Sequence, residues 1–152
     1  MKFLKYQMLE AKNLLCCSTQ LNPEILINDL EKISNVFENN SYLRQDATCY
    51  LIFDDIKSHT VSLCVPLKEK DLDVNPIFWI KECVFTSAVK ARHEGRLSTL
   101  RDSLAETQRY LDAQKLFPIT PFCCKVLTGL DSIEDTNNMI IDIYVGINLN
   151  IH

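Results

Sequence analysis

Residues Ile140–Ile147, IIDIYVGI, repeat the pattern of Thr60–Leu67, TVSLCVPL. Both runs are β-rich and place an apolar residue at every second position, the period of a strand with one buried face. Reading backward from each run, the same elements recur: another strand-like run, an amphipathic helix and a first strand. The order strand–helix–strand–strand, met twice, predicts an α+β fold. It is a tandem β-α-β-β repeat with pseudo-two-fold symmetry: a curved antiparallel sheet, two main helices on one side, and a groove between the halves. A single domain over 1–152 is expected, with repeat halves of about 1–70 and 76–150.

The elements follow from local signals. Phe3 to Thr19 reads as a first strand, bent near Lys12-Asn13. Asn22-Pro23-Glu24 starts a helix, with a capping amide, a proline at the first helical position and an acid in the first turn. Leu26, Leu30, Ile33 and Phe37 follow at helical spacing. Thr48 to Asp54 and Thr60 to Leu67 form a hairpin across a turn at Asp54-Asp55 and Lys57-Ser58. Lys68 to Asn75 is the expected connector. Ile80 to His93 is the next strand, broken at Glu94-Gly95, and Leu97, Leu100, Leu104 and Leu111 mark the second helix. Pro118 and Pro121 lead into a strand over Phe122 to Thr128. A polar loop runs from Gly129 to Asn138, and Met139 to Leu149 is the last strand. A shift of 74 carries Leu26 onto Leu100, Leu30 onto Leu104, Phe37 onto Leu111 and Cys49 onto Cys123. The closing strands match at a shift of 80, because the second loop is longer.

The chain has 152 residues, 47% hydrophobic and 24% charged, with a formal net charge of -4. That balance has no basic block and argues against a nucleic-acid partner; no helix-turn-helix segment is legible. The seven cysteines include the adjacent pairs Cys16-Cys17 and Cys123-Cys124. Neighbours in a strand face opposite ways, so these pairs are poor metal claws. They are expected to be reduced and buried, with no metal and no cofactor. Lys2 and Lys5 precede an apolar stretch, but Glu10, Lys12 and Asn13 interrupt it as a signal sequence. No run reaches the ~18 apolar residues a membrane helix needs, so a cytoplasmic protein without a membrane partner is expected.

The second half carries a more specific likeness. Ala88–Leu97, AVKARHEGRL, an amphipathic helix to Leu116, Pro118 to Pro121, Lys125–Thr128 and Asp142–Ile147 together resemble the gyrase-inhibitor-like (GyrI-like) superfamily, also called the bacterial effector-binding domain. The resemblance covers about Ile77 to Leu149 directly, and the first half through the repeat. It implies the same tandem fold and a groove that binds small, often cationic or amphipathic molecules. Some members sit behind a DNA-binding module and a few are hydrolases. Three positions depart from the family pattern: Asp142 stands for the closing strand's Glu, Gly146 for its Pro, and Leu97 for the turn's Tyr.

Period-two geometry sorts the closing strands. Ile141, Ile143, Val145 and Ile147 should pack on the helices, as should Val61, Leu63, Val65 and Leu67. Ile140, Asp142, Tyr144 and Gly146 then share the other face, and Thr60, Ser62 and Cys64 of the echo strand face the groove, with Asp142 and Tyr144 standing where that strand has Ser62 and Cys64. An acid beside aromatic rings suits an organic cation, with cation–π contact of ~0.5–2 kcal/mol. The candidate ligand-binding residues are Asp142, Tyr144, Trp79, Tyr50, Phe53 and Lys125. Tyr50 and Phe53 are alternatives whose facing is open. Trp79 and Phe78 also fit plain core packing. Asp142 and Lys125 also fit a structural cross-strand ion pair, which would remove the free negative charge. On the cation reading, Asp142→Asn weakens cationic-dye binding and leaves the melting temperature nearly unchanged. His93 is expected in a surface turn. No catalytic residue is assigned. The leading reading is a free-standing domain that binds a small organic ligand, and the main alternative is a module that docks a protein partner through the same concave surface. A hydrolase is a third reading, against which Asp142 and Leu97 count.

Overall fold

The computed structural model describes residues 1–46, 48–68, 78–128 and 130–148. In chain order the elements are β1 (Phe3–Gln20), α1 (Pro23–Asn39), β2 (Cys49–Phe53), β3 (Thr60–Pro66), β4 (Trp79–Gly95), α2 (Leu100–Ala113), β5 (Phe122–Thr128) and β6 (Met139–Gly146). This is the strand–helix–strand–strand order twice over. Every strand pairing is antiparallel.

The curved sheet closes on itself. Its strand order is β1-β3-β2-β5-β6-β4, and β4 pairs with β1 to complete a ring. Length makes closure possible: β1 has 18 residues and β4 has 17, more than twice the span of an ordinary strand. Flat strands of that length would diverge, so β1 bends. Its register against β4 shifts at Leu4/Gln7, Gln7/Leu9 and Ala11/Leu14, and Tyr6 and Asn13 take φ of 59° and 58°. The bend expected at Lys12-Asn13 is one of these.

Asn22 caps α1 by accepting from the amides of Glu24 and Ile25, with Pro23 opening the first turn. Leu26, Ile33 and Phe37 are its buried stripe; Leu100, Leu104, Thr107 and Leu111 are the stripe of α2. These face one side of the sheet and form the main core with Val61, Leu63, Val65, Ile141, Ile143, Val145 and Ile147. The facing read from the closing strands therefore holds. The shift of 74 works for the helices but not for β2 and β5. Cys49 lies in the helix-side core, whereas Cys123 points into the ring. The residues of β5 that share the facing of Cys49, Leu51 and Phe53 are Phe122, Cys124 and Val126. The correct offset is odd, and an even one turns every side chain over.

Two contacts tie α2 to the first half. Arg101 donates to the carbonyls of Ile56 and Ser58 in the β2–β3 turn and lies 5.8 Å from the Phe53 ring. Phe3 stacks on Tyr110 at 4.2 Å. Most of the Lys68–Asn75 connector, Gly129 and Leu149 lie outside the described residues. The loop before β6 contains a short 3-10 turn at Glu134–Asn137.

The candidate site, a charged row inside the ring

Six strands in register bring one row of side chains around the inner face. Cys16 of β1 stands opposite Cys64 of β3, which stands opposite Tyr50 of β2. Tyr50 stands opposite Lys125 of β5, Lys125 opposite Asp142 of β6, and Asp142 opposite Arg92 of β4. The adjacent row runs Ser62, Ile52, Cys123, Tyr144 and Lys90. Three of the residues singled out in the sequence, Tyr50, Lys125 and Asp142, thus share one row, and Tyr144 is in the next.

Half of this inner face is a second core. Leu9, Leu14, Ile52, Phe85, Tyr50 and Tyr144 are buried there, and Trp79 packs half-buried against them. The groove expected between the halves is filled in this part by the protein's own rings. Phe53 is a correction: it is fully buried in the helix-side core, because the odd positions of β2 face outward from the ring. Phe78 and Trp79 split in the same way, Phe78 packing on the helix side.

The other half is charged. Asp142 is 4% exposed. Arg92 forks onto it, Nε to Oδ1 at 2.8 Å and a terminal nitrogen to Oδ2 at 3.2 Å. Lys90 Nζ is 3.5 Å from Oδ2 and 5.7 Å from the centre of the Tyr144 ring. Lys125 is opposite Asp142 in register, yet among the described residues the ion pairs of Asp142 are with Arg92 and Lys90. The cross-strand partner was therefore expected on the wrong neighbouring strand. Reading β4 for alternation would have found it: Val89, Ala91 and His93 turn inward to the helices, which puts Lys90, Arg92 and Glu94 on the face of Asp142.

The arrangement changes the sign of the site. One carboxylate meets two cations directly, and Lys125 is a third on the same row. The Asp142 carboxylate also holds the Arg92 proton more firmly than usual, through its hydrogen bonds and its charge. Beside this clamp a cleft of about 460 Å³ is lined by Lys2, Leu4, Lys90, Ala91, Arg92 and Glu94. Lys2, Lys90 and Arg92 outnumber the Glu94 carboxylate in this lining, and Leu4 lies beside them, so the cleft can take an anionic head group and an apolar body.

His93 is 3% exposed and not in a surface turn. Its Nε2 lies 2.8 Å from the Arg96 carbonyl, which can only accept, so Nε2 carries the proton. Nδ1 then accepts from the Ser103 hydroxyl at 2.7 Å. The ring joins the end of β4 to α2. Gly95 turns the chain there with φ of 135°, open to glycine at little cost.

Two expectations about cysteine and metal can be placed. Cys16 and Cys64 are joined by a disulfide, Cα to Cα 4.1 Å, so the expectation of reduced thiols fails for this pair. They are direct partners on β1 and β3, a relation invisible at a separation of 48 residues. Cys17, Cys49, Cys83, Cys123 and Cys124 are free and buried. Among the described residues no cluster of three or more His, Cys, Asp or Glu could hold a metal ion, and no helix is long and apolar enough to cross a membrane.

Solved structures share this fold. The EcmrR C-terminal domain superposes with a TM-score of 0.72 at 12% identity, over 97% of this chain and 99% of that domain. EcmrR in its DNA complex gives 0.73 at 11% identity, over 96% of this chain and 57% of EcmrR. This chain thus spans little more than half the length of EcmrR. A hydrolase from Listeria innocua gives 0.54 at 11% identity, over 97% of this chain and 91% of the hydrolase. The fold is that of the EcmrR C-terminal domain. No protein-family model matches the chain, and no curated protein sequence does. The exclusion of nucleic acid, drawn from charge and from the lack of a legible helix-turn-helix segment, is not supported, since the same fold occurs in a chain bound to DNA.

Proposed function

We propose that the chain works as a GyrI-like effector-binding domain that takes a small amphipathic molecule at the charged mouth of its ring. In this reading residues 1–152 act as one cytoplasmic unit built from halves 1–70 and 76–150. The observation that supports it most is the clamp on Asp142. Arg92 and Lys90 neutralise the buried acid of the inner face, and Lys125 adds a further cation. The preferred ligand is therefore anionic or neutral at its head, the reverse of the charge that Asp142 suggests in isolation. Leu4 offers apolar surface in the cleft, Tyr144 lies behind Lys90, Tyr50 and Trp79 pack in the filled part of the inner face, and no catalytic role is assigned to any residue.

The reading is tested with a pair of dyes of opposite charge. The anionic amphiphile anilinonaphthalene sulfonate is expected to bind wild type, and rhodamine 6G to bind weakly or not at all. Lys90→Met with Arg92→Met frees the Asp142 carboxylate, so the preference should pass to rhodamine 6G. Equal binding of both dyes by wild type and variant would overturn the charge assignment. A second reading, docking of a protein partner on the same surface, is favoured by the filling of the inner face around Tyr50 and Tyr144. Co-purification with a stoichiometric protein and no dye binding would select it.

A further inference from the structure

The Cys16–Cys64 disulfide sits at the seam where the ring closes. Leu14, Leu15 and Cys16 are the residues of β1 that pair on both sides, with β3 and with β4. Cys16 stands opposite Cys64 on one side and opposite Trp79 on the other. Cys64 in turn stands opposite Tyr50. The bonded sulfurs are thus flanked by the single tryptophan of the chain and by a tyrosine. Cys16, Cys64 and Tyr50 belong to the inner cluster, and Trp79 packs against it.

The link is not what holds β1 to β3. Register pairs run unbroken from Leu14–Pro66 to Gln20–Thr60, so the ladder keeps the two sulfurs side by side whether or not they are bonded. Cys17, next in the chain, turns to the helix-side core and cannot take the place of Cys16. The five other cysteines are free, although all are buried. A chain that keeps five thiols beside one disulfide suits surroundings in which thiols stay reduced. A disulfide formed in such surroundings is usually transient or redox-sensing.

We propose that Cys16 and Cys64 are a reversible redox couple which a dithiol reduces in the folded chain, and whose state sets the packing around Trp79 and Tyr50. One thiolate of the dithiol attacks a sulfur of the pair. The S–S bond breaks, a mixed disulfide forms, and the other cysteine leaves as a thiolate that takes a proton. The second sulfur of the dithiol, as thiolate, attacks the mixed disulfide and closes its own ring, releasing the remaining cysteine, which also takes a proton. Two electrons and two protons pass to Cys16 and Cys64, and the dithiol is oxidised to a disulfide. Oxidised glutathione reverses the change by the same exchange.

Two thiols need more room than a bonded pair of sulfurs, and both cysteines are fully enclosed. In a close-packed core the difference passes to the neighbours. Trp79 is half-buried at the start of β4, so it is the neighbour that yields. The same movement opens the route by which a dithiol reaches Cys16. On the other side the row continues from Tyr50 to Lys125 and Asp142, which puts the couple in line with the charged mouth.

The test compares the folded whole chain after oxidised glutathione and after dithiothreitol. Each sample is alkylated in denaturant and its cysteines are mapped by mass spectrometry. The oxidised chain should take five alkyl groups and the reduced chain all seven. Trp79 emission should rise on reduction, because an adjacent disulfide quenches an indole, and fall when oxidised glutathione restores the link. The reduced chain should still melt cooperatively, at a lower midpoint, since the link across 48 residues no longer restrains the unfolded state. Cys64→Ser should show an emission that dithiothreitol does not change. If that variant does not fold, the wild-type map and emission decide. A link that yields only in denaturant, a reduced chain that no longer melts cooperatively, or reoxidation of Cys16 onto Cys17, Cys83 or Cys123 would overturn the proposal.

Discussion

Arg92 and Asp142 face each other across β4 and β6 and close a two-pronged hydrogen bond, at 2.8 and 3.2 Å. The carboxylate is buried and the guanidinium lies half in water. The pair is thus part of the frame that holds β4 against β6, as well as part of the rim. This alters what removal of the charge should do. Taken as a free acid, Asp142 could become Asn with no effect on melting. In its actual setting Asp142→Asn leaves Arg92 and Lys90 facing each other with no anion between them. Thermal denaturation should show a melting temperature lower by a few degrees. A double-mutant cycle with Arg92→Gln should show coupling, because the second change removes the repulsion left by the first. Additive single effects would mean that the pair does not stabilise the strands.

His93 should behave as a structural group. His93→Leu leaves the half-buried Ser103 hydroxyl without its ring partner and removes one of the donors to the Arg96 carbonyl, which keeps the Thr99 amide and hydroxyl. The expected loss is about 1–3 kcal/mol in chemical denaturation. Ser103→Ala removes one of the two bonds and should cost less. Equal stability of wild type and His93→Leu would show that water replaces the ring there.

The fold was legible because two independent signals coincided: period-two strands with apolar residues on one face, and helix stripes that repeat at a fixed offset. The facing of Ile141 to Ile147 and Val61 to Leu67 needed nothing more. Closure of the ring was not legible, because it depends on how far β1 and β4 run past their own halves, and their bulges carry no composition mark. The site was half legible. Asp142, Tyr144, Tyr50 and Lys125 fall on shared rows, but the partners of Asp142 come from β4, whose alternation was masked by the turn signal at Glu94-Gly95. Phe53 was ambiguous for a simpler reason. Every residue of β2 is buried, so the strand has no polar face to reveal its parity.

Gly146 shows why a departure from the GyrI-like pattern that the sequence resembles can be required locally. Its amide donates to Thr120 Oγ1 at 2.8 Å, which a proline could not do. An added Cβ would lie 2.6 Å from Thr120 Cγ2. Thr120 cannot easily turn away, since its hydroxyl also donates to the Pro121 carbonyl. Gly146→Ala is expected to cost about 1–3 kcal/mol by overpacking. Thr120→Ala in the same chain removes the clashing methyl and should recover part of that loss. No recovery would place the strain elsewhere in β6.

Tyr50 gives the chain a measurable alkaline limit. Burial pushes its phenol up to about 12, with the Thr48 hydroxyl acting the other way and Cys123, Asp46 and Tyr144 adding to the rise. In the unfolded chain a tyrosine ionises near its ordinary value of 10. Between those two values the unfolded state has already released the proton that the folded state retains. The unfolded state binds fewer protons there, so stability falls as pH rises from about 10 toward about 12, by at most about 1.4 kcal/mol per unit from this group. Below 10 the group contributes no slope. Tyrosinate absorbance should therefore show one of the five tyrosines ionising late, and Tyr50→Phe should remove that step. Urea denaturation at a series of pH values should show a shallower alkaline decline in Tyr50→Phe than in wild type. Identical slopes in the two proteins would mean that the ring opens to water before the phenol ionises, and that the inner cluster around Tyr144 and Cys123 is looser than its packing indicates.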